Sequence, residues 1–286
     1  MPLKYAYHPG NIAHSSATEV SQTMEPTARS FGIELLPMEG ATSCGAGIIR
    51  QANDVLQITL NARNFAIAES IGADIITPCA ATAGNLYEDL SRLKEDPLLL
   101  AKTNEVLERT TGMTLTGDVK VNHLLHVLVE EIGLEKVSEK VRNPIDFRIA
   151  GFYGPNMQQE GACGEDDVYD PQYLELLIEA LGGQPVQWES RTQSVGVPGL
   201  FAEEATVLRQ IASTIDDAKS EGASIIVSAC TLSHTALDIY QGKASRSTGL
   251  PTNIPVIHLT ELLAFSLGHY NNRLAQLRTR IAVIGD

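Results

Sequence analysis

Four cysteines, Cys44, Cys79, Cys163 and Cys230, stand far apart in the chain, and two of them share a context. Cys79 follows Gly72-Ala73-Asp74-Ile75-Ile76-Thr77-Pro78, and Cys230 follows Gly222-Ala223-Ser224-Ile225-Ile226-Val227-Ser228-Ala229. The thiolate is the reactive and metal-binding form of cysteine, and a helix N-terminus lowers its pKa. A lone buried thiol is usually a small hydrophobe. Two thiols at equivalent strand ends point instead to a site. His234 follows Cys230 by four residues, which on a helix puts both on one face, where an imidazole can hold a thiolate or donate a proton. Cys79, Cys230 and His234 are thus the catalytic candidates, and Cys44, Cys79 and Cys230 the cofactor-binding ones.

Other residues carry less. No Cys-x-x-Cys occurs, so neither a redox dithiol nor a zinc knuckle is legible, and no dedicated metal site is expected. Cys44 sits in Ser43-Cys44-Gly45-Ala46-Gly47, too short for a phosphate-binding glycine fingerprint. Cys163 lies in a polar loop between Gly161 and Gly164 and reads as incidental. His8 is ambiguous. His123 and His258 occupy matching strand-to-helix junctions and read as structural caps.

The elements that position these residues occur twice. Ile75-Ile76 and Cys79 match Ile225-Ile226 and Cys230, while Val121-Asn122-His123-Leu124 matches Val256-Ile257-His258-Leu259. Weaker echoes pair Pro9-Gly10-Asn11 with Gly154-Pro155-Asn156, and Ser43-Cys44-Gly45 with Ser194-Val195-Gly196. Four blocks in one order divide the chain into halves of 1–145 and 146–286. Val55–Ile71 and Thr206–Lys219 have helical apolar spacing, and the β-branched runs after them suit buried parallel strands. Two pseudo-symmetric α/β halves packed against each other are predicted, with ligands at the carboxyl ends of strands.

Composition bounds the partners. With acids outnumbering bases 35 to 21 and a net charge of -14, the chain is ill suited to nucleic acid or an anionic membrane surface. At 286 residues and 43% hydrophobic it can bury a sizeable core. No run approaches a membrane span, and the first residues lack an apolar export segment, so a cytoplasmic protein with reduced thiols is expected.

The blocks resemble the B-type subunit of heterodisulfide reductase, whose two cysteine-rich "CCG" modules each run Pro-Gly-Cys, Cys-Cys-Gly and Cys-x-x-Cys. In that family five thiolates per module hold a noncubane iron-sulfur cluster. Here the first module reads Pro9-Gly10-Asn11, Ser43-Cys44-Gly45 and Cys79-Ala80-Ala81-Thr82, and the second Gly154-Pro155-Asn156, Ser194-Val195-Gly196 and Cys230-Thr231-Leu232-Ser233-His234. The resemblance covers the whole chain, but Cys44, Cys79 and Cys230 alone remain of the ligand thiols. Clusters need thiolates at nearly every iron. The noncubane clusters are therefore expected to be absent, with a smaller iron-sulfur or single-metal site left to the three thiols.

The resemblance implies a component of a heterodisulfide-reductase-like oxidoreductase complex in thiol or sulfur metabolism. Its partners would be a flavin-containing subunit and a small iron-sulfur subunit, or a paralogue. One alternative is a non-catalytic scaffold in such a complex. Another is a racemase-like enzyme in which opposed Cys79 and Cys230 exchange an α-proton, with Asn11, Thr77 and Thr82 lining the pocket.

Overall fold

Two four-stranded parallel sheets organise the computed structural model, which describes residues 3–159, 161–162 and 164–269. The first half runs β1 (Leu3–Tyr7), α1 (Thr18–Ser30), β2 (Ile33–Pro37), α2 (Ile48–Ala52), α3 (Asp54–Ile71), β3 (Ile75–Thr77), α4 (Ala80–Glu95), α5 (Pro97–Thr111) and β4 (Val121–His123). α6 (Leu124–His126) continues as a π-helical turn over Val127–Ile132, and α7 (Leu134–Glu139) leads out. The second half runs β5 (Arg148–Phe152), α8 (Tyr173–Ala180), β6 (Gln184–Val186), α9 (Glu204–Ser220), β7 (Ile225–Ser228), α10 (Thr231–Ile239), α11 (Gln241–Thr248), β8 (Val256–His258) and α12 (Leu259–Ser266).

The strand orders correspond: β2-β1-β3-β4 in one sheet and β6-β5-β7-β8 in the other. In each sheet the strand that leads to Cys79 or Cys230 lies between the first strand and the last, with Ile75 opposite Val121 and Ile226 opposite Val256. Parallel strands need a covering layer on both faces, which is why these runs are apolar throughout. Alternation then sends successive residues to different cores. Ala6 and Ile75 face an outer core with Phe65 and Leu86, whereas Tyr5 and Ile76 face a central one. Likewise Ala150 and Ile226 join an outer core with Trp188 and Ile211, while Ile149, Ile225 and Val227 join the central core.

That central core is shared. It contains Tyr5, Met24, Ile76 and Cys79 from one half, and Ile149, Leu174, Cys230 and Leu262 from the other. Thr23 of α1 hydrogen-bonds Thr260 of α12 at 2.8 Å, and Ala80 N–H donates to the Ala229 carbonyl at 3.0 Å. The halves thus meet at their cysteine-bearing strand ends. Cys163 lies outside the described residues.

Candidate functional site

The strand-to-helix turns after β3 and β7 place Cys79 and Cys230 at the N-cap positions of α4 and α10, both in extended conformation. Neither side chain caps its helix, so both sulfurs are left for other partners. Both are buried and unoxidised. The Thr231 hydroxyl, from the first turn of α10, donates to Cys79 Sγ at 3.0 Å across the seam. The Cys230 thiol and the Thr82 hydroxyl also hydrogen-bond Cys79.

These contacts split the pair. Burial pushes the Cys79 thiol up, but hydrogen bonds from Cys230, Thr231 and Thr82 outweigh it and hold Cys79 well below the usual thiol value. Cys230 is held well above it, first by its hydrogen bond to Cys79 and then by burial. The contact thus favours the thiolate at Cys79 and the thiol at Cys230.

Around Cys79, the residues standing where the resemblance puts cluster ligands close on one another. Cys44 Sγ is 3.3 Å from Asn11 Oδ1 and 3.6 Å from Thr82 Oγ1, and the Ser43 hydroxyl donates to Asn11 Oδ1 at 2.6 Å. Burial, with the Cys79 charge adding to it, pushes the Cys44 thiol up to about 11. Asn61 fixes the Cys44 loop, donating to the Cys44 carbonyl at 3.2 Å and to Asp89 at 2.6 Å. Gly10 passes so close that a Cβ there would sit 2.9 Å from Cys79 Cβ, at a φ of +95°. In the second half Val195 is buried in the outer core beside Trp188 and Leu237, and Ser194 Oγ accepts the Gly196 N–H. The residues present do not fit a noncubane cluster in either half.

Two histidines flank the seam. His123 and His258 each accept a backbone N–H on Nδ1, from Leu125 at 3.1 Å and from Thr260 at 3.2 Å, which caps the following helices. Nε2 must therefore carry the proton. In His123 it donates to the Ala229 carbonyl at 3.0 Å. Burial lowers the pKa of both imidazoles, so both are neutral caps. His8 is also a loop strut, with Nε2 3.0 Å from the Thr42 carbonyl and Nδ1 accepting Gly10 N–H. Beside it, a surface cleft of about 420 Å³ opens at the carboxyl ends of β1 and β2, lined by His8, Asn11, Met38 and Ser43.

Three expectations are corrected here. His234 does not serve the thiols: its Nε2 lies 3.0 Å from Glu19 Oε1 and 3.8 Å from Glu261 Oε2. One turn of helix aligns Cys230 and His234, but α1 and α12 draw the imidazole to their carboxylates. Cys44, Cys79 and Cys230 lie along one chain of contacts through Thr82, yet do not close into a metal-sized triangle; among the described residues, Glu19, His234 and Glu261 do. The opposed-thiol racemase reading needs a substrate between the sulfurs, whereas in this structure Cys230 hydrogen-bonds Cys79 directly. Sequence reasoning missed Glu19, Glu261 and Thr231. Only Glu261 had a signal, as a glutamate three residues after the helix-capping His258.

Comparison with known proteins agrees with this architecture. Residues 5–86 match the cysteine-rich domain family CCG. The chain is 29% identical over 275 residues to the 8-methylmenaquinol:fumarate reductase membrane anchor subunit of Wolinella succinogenes, covering 94% of this chain and 93% of that one. It is 28% identical over 248 residues to the B-type subunit of the ferredoxin:CoB-CoM heterodisulfide reductase of Methanosarcina mazei, covering 85% and 82%. A hypothetical protein from Helicobacter pylori shares the fold with a TM-score of 0.77 and 17% identity, over 98% of this chain and 52% of that one. The fold is two α/β halves of corresponding strand order, the first of which carries the CCG match. Along most of its length the chain is similar to heterodisulfide reductase B-type subunits, with few of the cysteines that the resemblance leads one to expect. Among the described residues, no helix is long and apolar enough to cross a membrane.

Proposed function

We propose that this chain is a cluster-free component of a heterodisulfide-reductase-like oxidoreductase complex in thiol or sulfur metabolism. One observation carries the reading: Asn11, Ser43, Cys44 and Thr82 hydrogen-bond among themselves where the family holds iron. Soft thiolates are what such clusters select, and carboxamides and hydroxyls do not replace several of them together. The chain then contributes its fold and surfaces to flavin-containing and small iron-sulfur subunits, or to a paralogue with intact modules. Anaerobic purification tests this. A colourless protein without stoichiometric iron or acid-labile sulfide, co-purifying with reductase subunits, is expected. Iron near four atoms per module with matching sulfide refutes it.

The Cys79–Cys230 contact favours a second, compatible reading, in which the pair serves as a two-electron store. Thiolate and thiol would join as a disulfide, releasing the thiol proton and passing two electrons to an oxidised flavin in the partner subunit. The step predicts that oxidised flavin with its subunit removes two titratable thiols per chain, and that Cys230→Ser abolishes this. Unchanged thiol counts would leave the pair a structural contact.

A further inference from the structure

Away from the thiols, three helices bring one side chain each to a common point. Glu19 opens α1, His234 lies in α10, and Glu261 is in the first turn of α12. One ligand atom from each lies within 4.8 Å of the other two, with His234 Nε2 at 3.0 Å and 3.8 Å from the carboxylate oxygens. We infer that Glu19, His234 and Glu261 form a binding site for a single divalent transition-metal cation of the zinc or iron(II) kind.

Geometry supports it. Ligand atoms about 2.1 Å from a metal stand roughly 3.4 Å apart in a tetrahedral site and about 3.0 Å apart in an octahedral one. The two separations from His234 Nε2, 3.0 Å and 3.8 Å, span those values, and all three ligand atoms lie within 4.8 Å of one another. Charge supports it as well. Two carboxylates converge on one imidazole, and the His234 and Glu261 side chains are only 2% and 7% exposed. A nitrogen-plus-oxygen donor set of this kind suits zinc or iron.

Independent observations point the same way. His234 Nδ1 and His258 Nε2 are buried polar atoms without a hydrogen-bond partner, and the two rings stand edge to face at 5.9 Å. With His234 Nε2 on a metal, Nδ1 would carry the ring proton, so both orphaned nitrogens are donors that water admitted with the ion would satisfy. The His258 backbone N–H donates to Glu261 Oε2 at 2.9 Å, aiming that carboxylate as outer-shell groups aim metal ligands. Glu19, with 32% of its side chain exposed, leaves an entry path and an open coordination position. The site would clamp the two halves together, since α1 belongs to one and α10 and α12 to the other. It contains no cysteine and is independent of the function proposed above.

The test uses chelator-treated full-length protein with zinc alone, and separately cobalt(II) alone. One cobalt per chain is expected, with weak d–d bands of nitrogen and oxygen donors and no thiolate charge-transfer band. Zinc should bind once per chain and raise the melting temperature. Glu19→Gln, chosen because its side chain is partly exposed, should weaken both metals by at least about tenfold, as should His234→Gln. Absence of stoichiometric binding, a thiolate band, or binding unchanged in Glu19→Gln would each overturn the assignment.

Discussion

The Thr231 hydroxyl donates to Cys79 Sγ at 3.0 Å, so a side chain of one half favours the thiolate form of a cysteine in the other. The contact is a by-product of convergence: α4 and α10 begin at the same seam, and the first residue of α10 reaches the cap position of α4. Oriented helix N–H groups add to the stabilisation of charge there.

Thr231→Val should therefore raise the Cys79 pKa and reduce the thiolate fraction at neutral pH. A hydrogen bond to a charged group contributes about 1.5–3 kcal/mol, which corresponds to roughly one to two pH units. Burial opposes the Cys79 thiolate while Cys230, Thr231 and Thr82 favour it, with a net lowering. Its stabilising effect is present above the unfolded thiol value and lost as pH falls through the folded Cys79 value. Cys230, raised first by Cys79 and then by burial, acts oppositely: its effect is lost as pH rises through its folded value. Thiolate ultraviolet absorbance, titrated in wild type, Thr231→Val and Cys79→Ser, reads the shift directly. An unmoved titration in Thr231→Val would remove Thr231 from the account.

Gly84 shows how tightly the halves approach. It sits inside α4 with an ordinary helical backbone, where alanine normally stabilises by about 0.5–1 kcal/mol. A Cβ there would lie 2.3 Å from the Asn156 carbonyl oxygen, a backbone atom of the facing turn Pro155–Met157. Backbone cannot swing aside as a side chain can, and overpacking costs about 1–3 kcal/mol. The clash wins. Gly84→Ala is expected to lower unfolding free energy by about 1–2 kcal/mol in urea titration, and a stabilised variant would contradict the close approach.

The sequence made the sheets legible because both faces of each are covered. Ile75-Ile76 and Ile225-Ile226-Val227, short and β-branched after a glycine, suited buried parallel strands, and that reading placed the cysteines at their ends. The destination of His234 was not legible. Helical spacing aligns Cys230 with His234, but the ring's partners, Glu19 and Glu261, come from α1 and α12. Local periodicity says which face a residue occupies and nothing about what a distant helix brings to it. Asp89 was invisible for the same reason: its donors Arg50, Gln57 and Asn61 come from α2 and α3.

That carboxylate yields a third prediction. Asp89 is fully buried and accepts from Arg50 at 2.6 Å, Asn61 at 2.6 Å and Gln57 at 3.2 Å. Asn61 in turn holds the Cys44 carbonyl. Asp89→Ala removes the buried acceptor that joins three side chains and should cost about 3 kcal/mol, the scale of breaking a buried pair. It should also speed alkylation of Cys44, followed by peptide mass spectrometry. Unchanged Cys44 protection with full destabilisation would show that the network holds α4 to α3 but does not order the loop.

Acid sensitivity provides the last prediction. His8, His123, His126 and His258 are all buried, and burial is the largest cause holding each imidazole below its ordinary value. His126 falls to about 3, through burial and then the neighbouring His123. A histidine lowered in the folded state contributes stability above its unfolded value of about 6.5, and loses it as pH falls toward the folded value. For His126 that window runs from about 6.5 to about 3. Within it the unfolded chain takes up protons the folded chain refuses, at up to about 1.4 kcal/mol per pH unit for each such group. Urea unfolding free energies should fall steeply between about pH 6.5 and 5. His126→Phe, which keeps a ring against Tyr173 at the present 6.0 Å spacing, should reduce the slope by about one proton. An identical slope in wild type and His126→Phe would mean that His126 titrates alike in both states.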